Sequence, residues 1–172
     1  NVFNERIQSF MNLWARVKRL SFPTLVRFGF LLIQKPLLIY PIWKATKRTM
    51  IVSQELYGNA HQGNGKANAF RHAFWNVKIC QNCLKFTKNG QKSAIWTQKV
   101  TDLYEKVTRN ETLDREMDLH NNAIGRAHFL QNLEENESES IDFIQKMTKN
   151  AQKVAKVDEI KNFENVLVYI SE

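Results

Sequence analysis

With 172 residues and 43% hydrophobic side chains, the chain is long enough for one domain with a sizeable core and too apolar to be disordered throughout. Only 6 glycines and 3 prolines are present, which argues against a many-turned β architecture and for an all-α fold. The net charge of +8 is confined to residues 1–50, which hold nine basic residues and Glu5 alone, whereas the remainder holds 16 basic and 16 acidic residues.

Phe3, Ile7, Phe10, Met11, Trp14 and Val17 recur at helical spacing opposite Glu5, Gln8, Asn12, Arg16 and Arg19, predicting an amphipathic helix over about residues 4 to 20. The start NVFNERIQSF lacks the apolar run of a secretion signal, and no initiator methionine is present. A processed chain, or a piece of a larger delivered protein, is the expectation. Next comes FPTLVRFGFLLIQKPLLIYPIWK, residues 22 to 44. Its longest uncharged apolar run is Phe28 to Ile33, and Pro36 and Pro41 break the stretch beyond it, so the segment is too short to span a bilayer. It reads as a core helix or as an element lying at a lipid interface. Basic residues among aromatics suit anionic lipid and equally a nucleic-acid backbone.

ATKRTMIVSQELYG predicts a helix stopped by Gly58, followed by the polar loop NAHQGNGKA. Further helices are expected over residues 66 to 88, ending near Asn89-Gly90, over 92 to 109, and over 114 to 133 with Asp114 as N-terminal cap. An acidic loop, ENESES, then leads to a helix from about Ser140 to Lys156, and the tail NVLVYIS alternates like a short strand. The whole is expected to be one helical bundle of six to seven helices with a short C-terminal extended segment. Its parts are a basic, aromatic stretch (1–50), a motif-bearing core (55–130) and a C-terminal helix and tail (134–172). Cys80 and Cys83 lack the further ligands of a zinc site and are expected as packed thiols.

The segment NGKANAFRHAFWN sets Arg71 and His72 among bulky aromatics. On a helix Asn68, His72 and Asn76 form one polar stripe on an otherwise apolar surface. The segment EMDLHNNAIGRAH does the same with Asp118, Asn121, Asn122, Gly125 and Arg126. Paired asparagines are poor helix formers, and Gly125 would admit a close neighbour. Two such stripes facing each other would enclose a polar pocket, where helical bundles build metal and substrate sites. In TDLYEKVTR, Asp102, Glu105 and Arg109 share a face, and Glu105 would complete a set with His72, Asp118 and His120. His120, two residues from Asp118, points the other way on an ideal helix, so Asp118 is the first choice for the pocket and His120 the second. His61 and His128 belong to no constellation and are expected at the surface or in loops.

The blocks AFRHAFWN and MDLHNNAIGR resemble the two signature blocks of an uncharacterised bacterial domain family met in wall-associated, secreted and polymorphic-toxin-like proteins. The resemblance covers about residues 55 to 130. It implies functional roles for Arg71, His72, Asn76, Glu105, Asp118, Asn121, Asn122 and Arg126. Where members often carry an acidic residue before the first block and a His-Glu pair in the intervening helix, this chain has Asn68 and Tyr104-Glu105. The implied context is a secreted or delivered toxin.

These residues suit phosphoester hydrolysis. His72 supplies a base or a metal ligand, Glu105 and Asp118 orient it or join the coordination of a divalent ion, and Arg71 and Arg126 match a phosphate, with Asn76, Asn121 and Asn122 lining the substrate pocket. No GxSxG turn, HExxH helix or P-loop is present. The expected function is a hydrolase acting on a membrane lipid or lipid-linked phosphoester. A nuclease using the same pocket and a non-catalytic membrane-binding or pore-forming module are the alternatives. Expected partners are anionic membrane lipid, a cognate immunity protein and, for the nuclease, nucleic acid.

Overall fold

The computed structural model describes residues 22–107 and 111–171; the helix expected over residues 4 to 20 and the side chain of Arg109 lie outside them. Helix α1 (Phe22–Ile33) leads through a 3-10 turn (Pro36–Leu38) into α2 (Ile39–Tyr57), and a second 3-10 turn (Gly58–Gln62) into α3 (Lys66–Thr87). After these come α4 (Gly90–Val107), α5 (Thr112–Gln131), α6 (Glu137–Lys149) and a single turn, α7 (Val157–Ile160). Two short strands, β1 (Gln152–Lys153) and β2 (Val168–Tyr169), pair in parallel, with Gln152 opposite Val168. The chain is therefore one all-α domain with a short extended C-terminal segment.

Local chemistry explains the boundaries. Pro36 cannot continue α1, whereas Pro41 is tolerated in the first turn of α2, where its missing N–H has no intrahelical partner to lose. Gly58 closes α2 with φ 54, a backbone conformation that glycine adopts without strain. Asp114 does not cap α5, because that helix already begins at Thr112, and Asp114 sits in its first turn. ENESES is not a loop but a helix start. Asn136 Oδ1 accepts from the backbone N–H of Ser138 and Glu139, while Glu139 accepts from the backbone of Asn136, a reciprocal box that starts α6 at Glu137. Nor does α6 reach Lys156. It stops at Lys149, since the N–H groups of Gln152 and Val154 are taken by the carbonyls of Leu167 and Tyr169, both at 2.9 Å.

Helix α3 is the axis of the domain and is buried on nearly every side. Its Phe70, Ala73, Phe74 and Val77 pack with Val52 of α2, Ile124 and Phe129 of α5, Ile144 of α6 and Leu167. Its other flank, Ile79 and Cys83, meets Leu38, Ala45, Trp96 and Val100. Glu137 ties three helices together, accepting from Arg48 of α2 and Lys78 of α3, each at 2.8 Å. Helices α3 and α5 approach each other closely. A Cβ built on Gly125 would lie 2.2 Å from the Ala73 carbonyl oxygen, so only glycine permits this spacing. That contact turns the polar stripes of the two helices toward each other.

Candidate functional site

His72 lies at the centre of a buried polar cluster drawn from three helices. Its Nε2 is 3.2 Å from Asp118 Oδ1 of α5, and its Nδ1 is 3.4 Å from Glu105 Oε1 of α4. The three side chains are 3%, 4% and 1% exposed, and one ligand atom from each lies within 4.8 Å of the others. The Nδ1–H also faces Asn122 Oδ1 at 3.2 Å, so that nitrogen carries the proton, whereas Nε2 accepts from Arg71 Nη2 at 2.8 Å. Arg71 is held in turn by the carbonyl oxygen of His61 at 2.6 Å.

From Asn122 the network runs on across the core. Asn122 Nδ2–H donates to Glu105 Oε1 at 3.2 Å, and Asn122 Oδ1 accepts from Asn76 Nδ2 at 2.6 Å. Asn76 Oδ1 accepts from Arg126 Nη1 at 2.9 Å and lies 3.3 Å from Thr101 Oγ1. Such a network orients each member and keeps the imidazole in one tautomer. Burial pushes the carboxyl of Asp118 up to about 6, an effect to which the nearby Glu105 and Asp114 add and which protonation of His72 and the Arg71 guanidinium oppose. Burial also lowers the pKa of Arg126, against the pull of Asp102. Trp75 and Tyr104 border the cluster, with the Trp75 ring edge-on to Tyr104 at 5.3 Å and to His72 at 6.3 Å.

One imidazole nitrogen and two carboxylates from three rigid helices make a donor set suited to a divalent cation such as Zn2+ or Mn2+. The fit has one condition. Nε2 can take the Arg71 N–H or a cation but not both, so Arg71, which is half-buried, must swing aside to admit the ion.

Not every residue singled out from the sequence joins this centre. His120 points away, as the helix geometry foresees, and its Nε2–H donates to the Val166 carbonyl at 2.9 Å. It lines a separate cleft of about 370 Å3 with Asp102, Glu116, Arg126 and Lys161. Asn121 is turned toward the C-terminal strand instead. Its amide exchanges two hydrogen bonds with the backbone of Val168, at 2.9 and 3.0 Å, and so fastens β2. Arg126 is only 9% exposed and committed to Asn76 and Thr101, at the far end of the network from His72. His61 and His128 are not at the surface, being 0% and 6% exposed; His61 does lie in the connecting turn Gly58–Gln62, whereas His128 is on helix α5. His61 Nε2 meets Gln54 Oε1 at 3.1 Å, and His128 Nε2 meets Glu135 Oε2 at 2.6 Å while its ring stacks on Phe143. Cys80 and Cys83 are free and fully buried; burial pushes both thiols up to about 12, so they stay protonated and inert.

Thr101 is a member of the cluster that motif reading missed. It had a signal: Ser93, Thr97, Thr101 and Glu105 recur every four residues and are all buried, a third polar stripe, on α4. Among the described residues no helix is long and apolar enough to cross a membrane. No curated protein and no solved structure gives a significant match to the chain. The span that carries all three helices of the cluster, residues 29–152, matches the family model described as "Domain of unknown function (DUF6973)", and the chain belongs to that family.

Proposed function

We propose that this domain is a metal-dependent hydrolase of a phosphoester, with a membrane lipid or lipid-linked phosphoester as its substrate. The observation that carries the reading is the convergence of His72, Glu105 and Asp118 from three helices to within 4.8 Å in the core beside Arg71. A bound divalent ion would supply a Lewis acid and an activated water. The chain's own groups divide the remaining work. Asn122 and Glu105 hold the Nδ1–H and so direct Nε2 toward Asp118. Arg71, once displaced from Nε2, is a forked donor able to grip a phosphate. The resemblance of the two sequence blocks to those of polymorphic-toxin-like proteins supports a secreted or delivered effector, for which a cognate immunity protein would be the partner. A nuclease built on the same centre is the second reading, favoured by the basic first third of the chain.

The test is titration of Mn2+ and Zn2+ into the purified chain by calorimetry, paired with hydrolysis assays on phospholipid and on nucleic acid with and without a chelator. Wild type is expected to bind one ion and to release phosphorylated product from lipid only when metal is present. His72→Ala and the isosteric Asp118→Asn should each weaken metal binding by roughly 10- to 100-fold or more. Wild-type affinity in both variants would refute the metal centre, and metal-dependent cleavage confined to nucleic acid would replace the lipid reading by the nuclease.

A further inference from the structure

The corner formed by α1, the Pro36–Leu38 turn and the start of α2 exposes apolar side chains on a scale found nowhere else among the described residues. Phe30, Ile33, Leu37 and Tyr40 are 70%, 74%, 76% and 62% exposed, and Val26, Ile39 and Trp43 add to the same stretch. The elements are not loosely attached. Their inner faces, Leu31, Leu38, Ile42 and Ala45, pack on Ile79, Cys83, Trp96 and Val100. The corner thus has two apolar faces, one spent on the core and one turned to solvent.

Charge narrows what that outer face would meet. Arg27, Lys35, Lys44 and Lys47 are exposed around it, and no acidic residue occurs from Phe22 to Gln54. Nucleic acid would satisfy the cations but leave Ile33 and Leu37 in water. An ordinary protein face would satisfy the apolar residues but would not call for one sign of charge over 33 consecutive residues. A bilayer rich in anionic lipid satisfies both, with aliphatic side chains in the acyl boundary, Tyr40 and Trp43 at headgroup level and lysine stems reaching phosphates.

We propose that this corner is a docking surface for anionic lipid bilayers, lying in the plane of the headgroups. It adjoins the polar centre, because Trp75, at the border of that centre, donates its Nε1–H to Thr46 Oγ1 of α2 at 2.9 Å. Presentation of lipid phosphates to Arg71 would be the further consequence, and only that consequence rests on the hydrolase reading; membrane binding is measured without turnover.

The experiment is co-sedimentation of the whole chain with vesicles of phosphatidylcholine alone and of phosphatidylcholine mixed with phosphatidylglycerol. Binding is expected to be at least about tenfold tighter on the mixed vesicles and to weaken with added salt. Ile33→Ser, Leu37→Ser and Lys44→Glu are each expected to weaken it severalfold without changing the melting temperature, since these side chains stand in solvent; Ile95→Ser, exposed elsewhere on α4, should bind as wild type does. Equal binding to both vesicle types overturns the proposal, as does wild-type binding by Ile33→Ser and Leu37→Ser. So does a lipid-free dimer that these two substitutions dissolve, which would make a second copy the occupant. Vesicle binding with no hydrolysis would sink the hydrolase and spare the docking surface. Hydrolysis of a soluble phosphoester without vesicle binding would do the reverse.

Discussion

Asp118 illustrates how a single residue can carry a conflict between stability and chemistry. Its carboxyl titrates at about 6 in the folded chain, against an ordinary value of 3.8, chiefly because burial disfavours its charge. Between those values the folded chain holds a proton that the unfolded chain has released, so folding stability falls as pH rises. The contribution is complete below about pH 4 and is lost as pH climbs through about 6, for a total on the order of 2–3 kcal/mol. Urea unfolding of wild type and Asp118→Asn in chelator should therefore give a stability difference that grows against wild type across that window; a difference independent of pH would contradict it. The same residue was legible from sequence, because a buried acid among asparagines on a helix is costly and so conspicuous. His61 was not legible. It sits in a polar, glycine-bearing segment, and only the tertiary fold buries it and turns its carbonyl to Arg71. His120 and Asp118 show the middle case, where helical phase alone separated the residue that joins the centre from the one that does not.

Between elements, the α3–α5 crossing decides whether the centre exists. Gly125→Ala would push a methyl group to 2.2 Å from a backbone carbonyl that no rotamer change can move. A cost of about 2–4 kcal/mol is expected, read as a lowered unfolding midpoint, together with weaker metal binding as His72 and Asp118 are prised apart. A variant as stable as wild type would mean that the helices have slack to part. The elements themselves were mostly readable, since α2 through α5 obey apolar periodicity and punctuating glycines. Two errors came from competing chemistry. Acidic residues in ENESES suggested a solvated loop, yet acids favour a helix N-terminus and Asn136 with Glu139 closes the box. Helical spacing past Lys149 suggested continuation, yet pairing with the strand some 15 residues later wins the backbone of Gln152 to Val154. The third polar stripe, on α4, went unread because serine and threonine at four-residue spacing also satisfy themselves. Thr97 and Thr101 each donate to the carbonyl four residues back, at 2.9 and 3.1 Å, which made them unremarkable in sequence.

For the molecule as a whole, the candidate metal ligands belong to the three helices that also build the core, so binding and folding are one equilibrium. An ion held by His72, Glu105 and Asp118 exists only in the folded chain, and at a hundredfold excess over its dissociation constant it adds about 2.7 kcal/mol. A rise of roughly 5–10 °C in melting temperature is expected by calorimetry with added metal, reversed by chelator and absent in His72→Ala. A purely structural network would give no such shift. The clamp that Asn121 places on Val168 has a bearing on how the protein is made. Asn121 adjoins Asn122, the hub of the centre, so the register of α5 is pinned by residues synthesised more than forty positions later. A nascent chain still lacking β2 leaves the Asn121 amide without its two backbone partners, so the centre is expected to reach its final order only after that strand has been made.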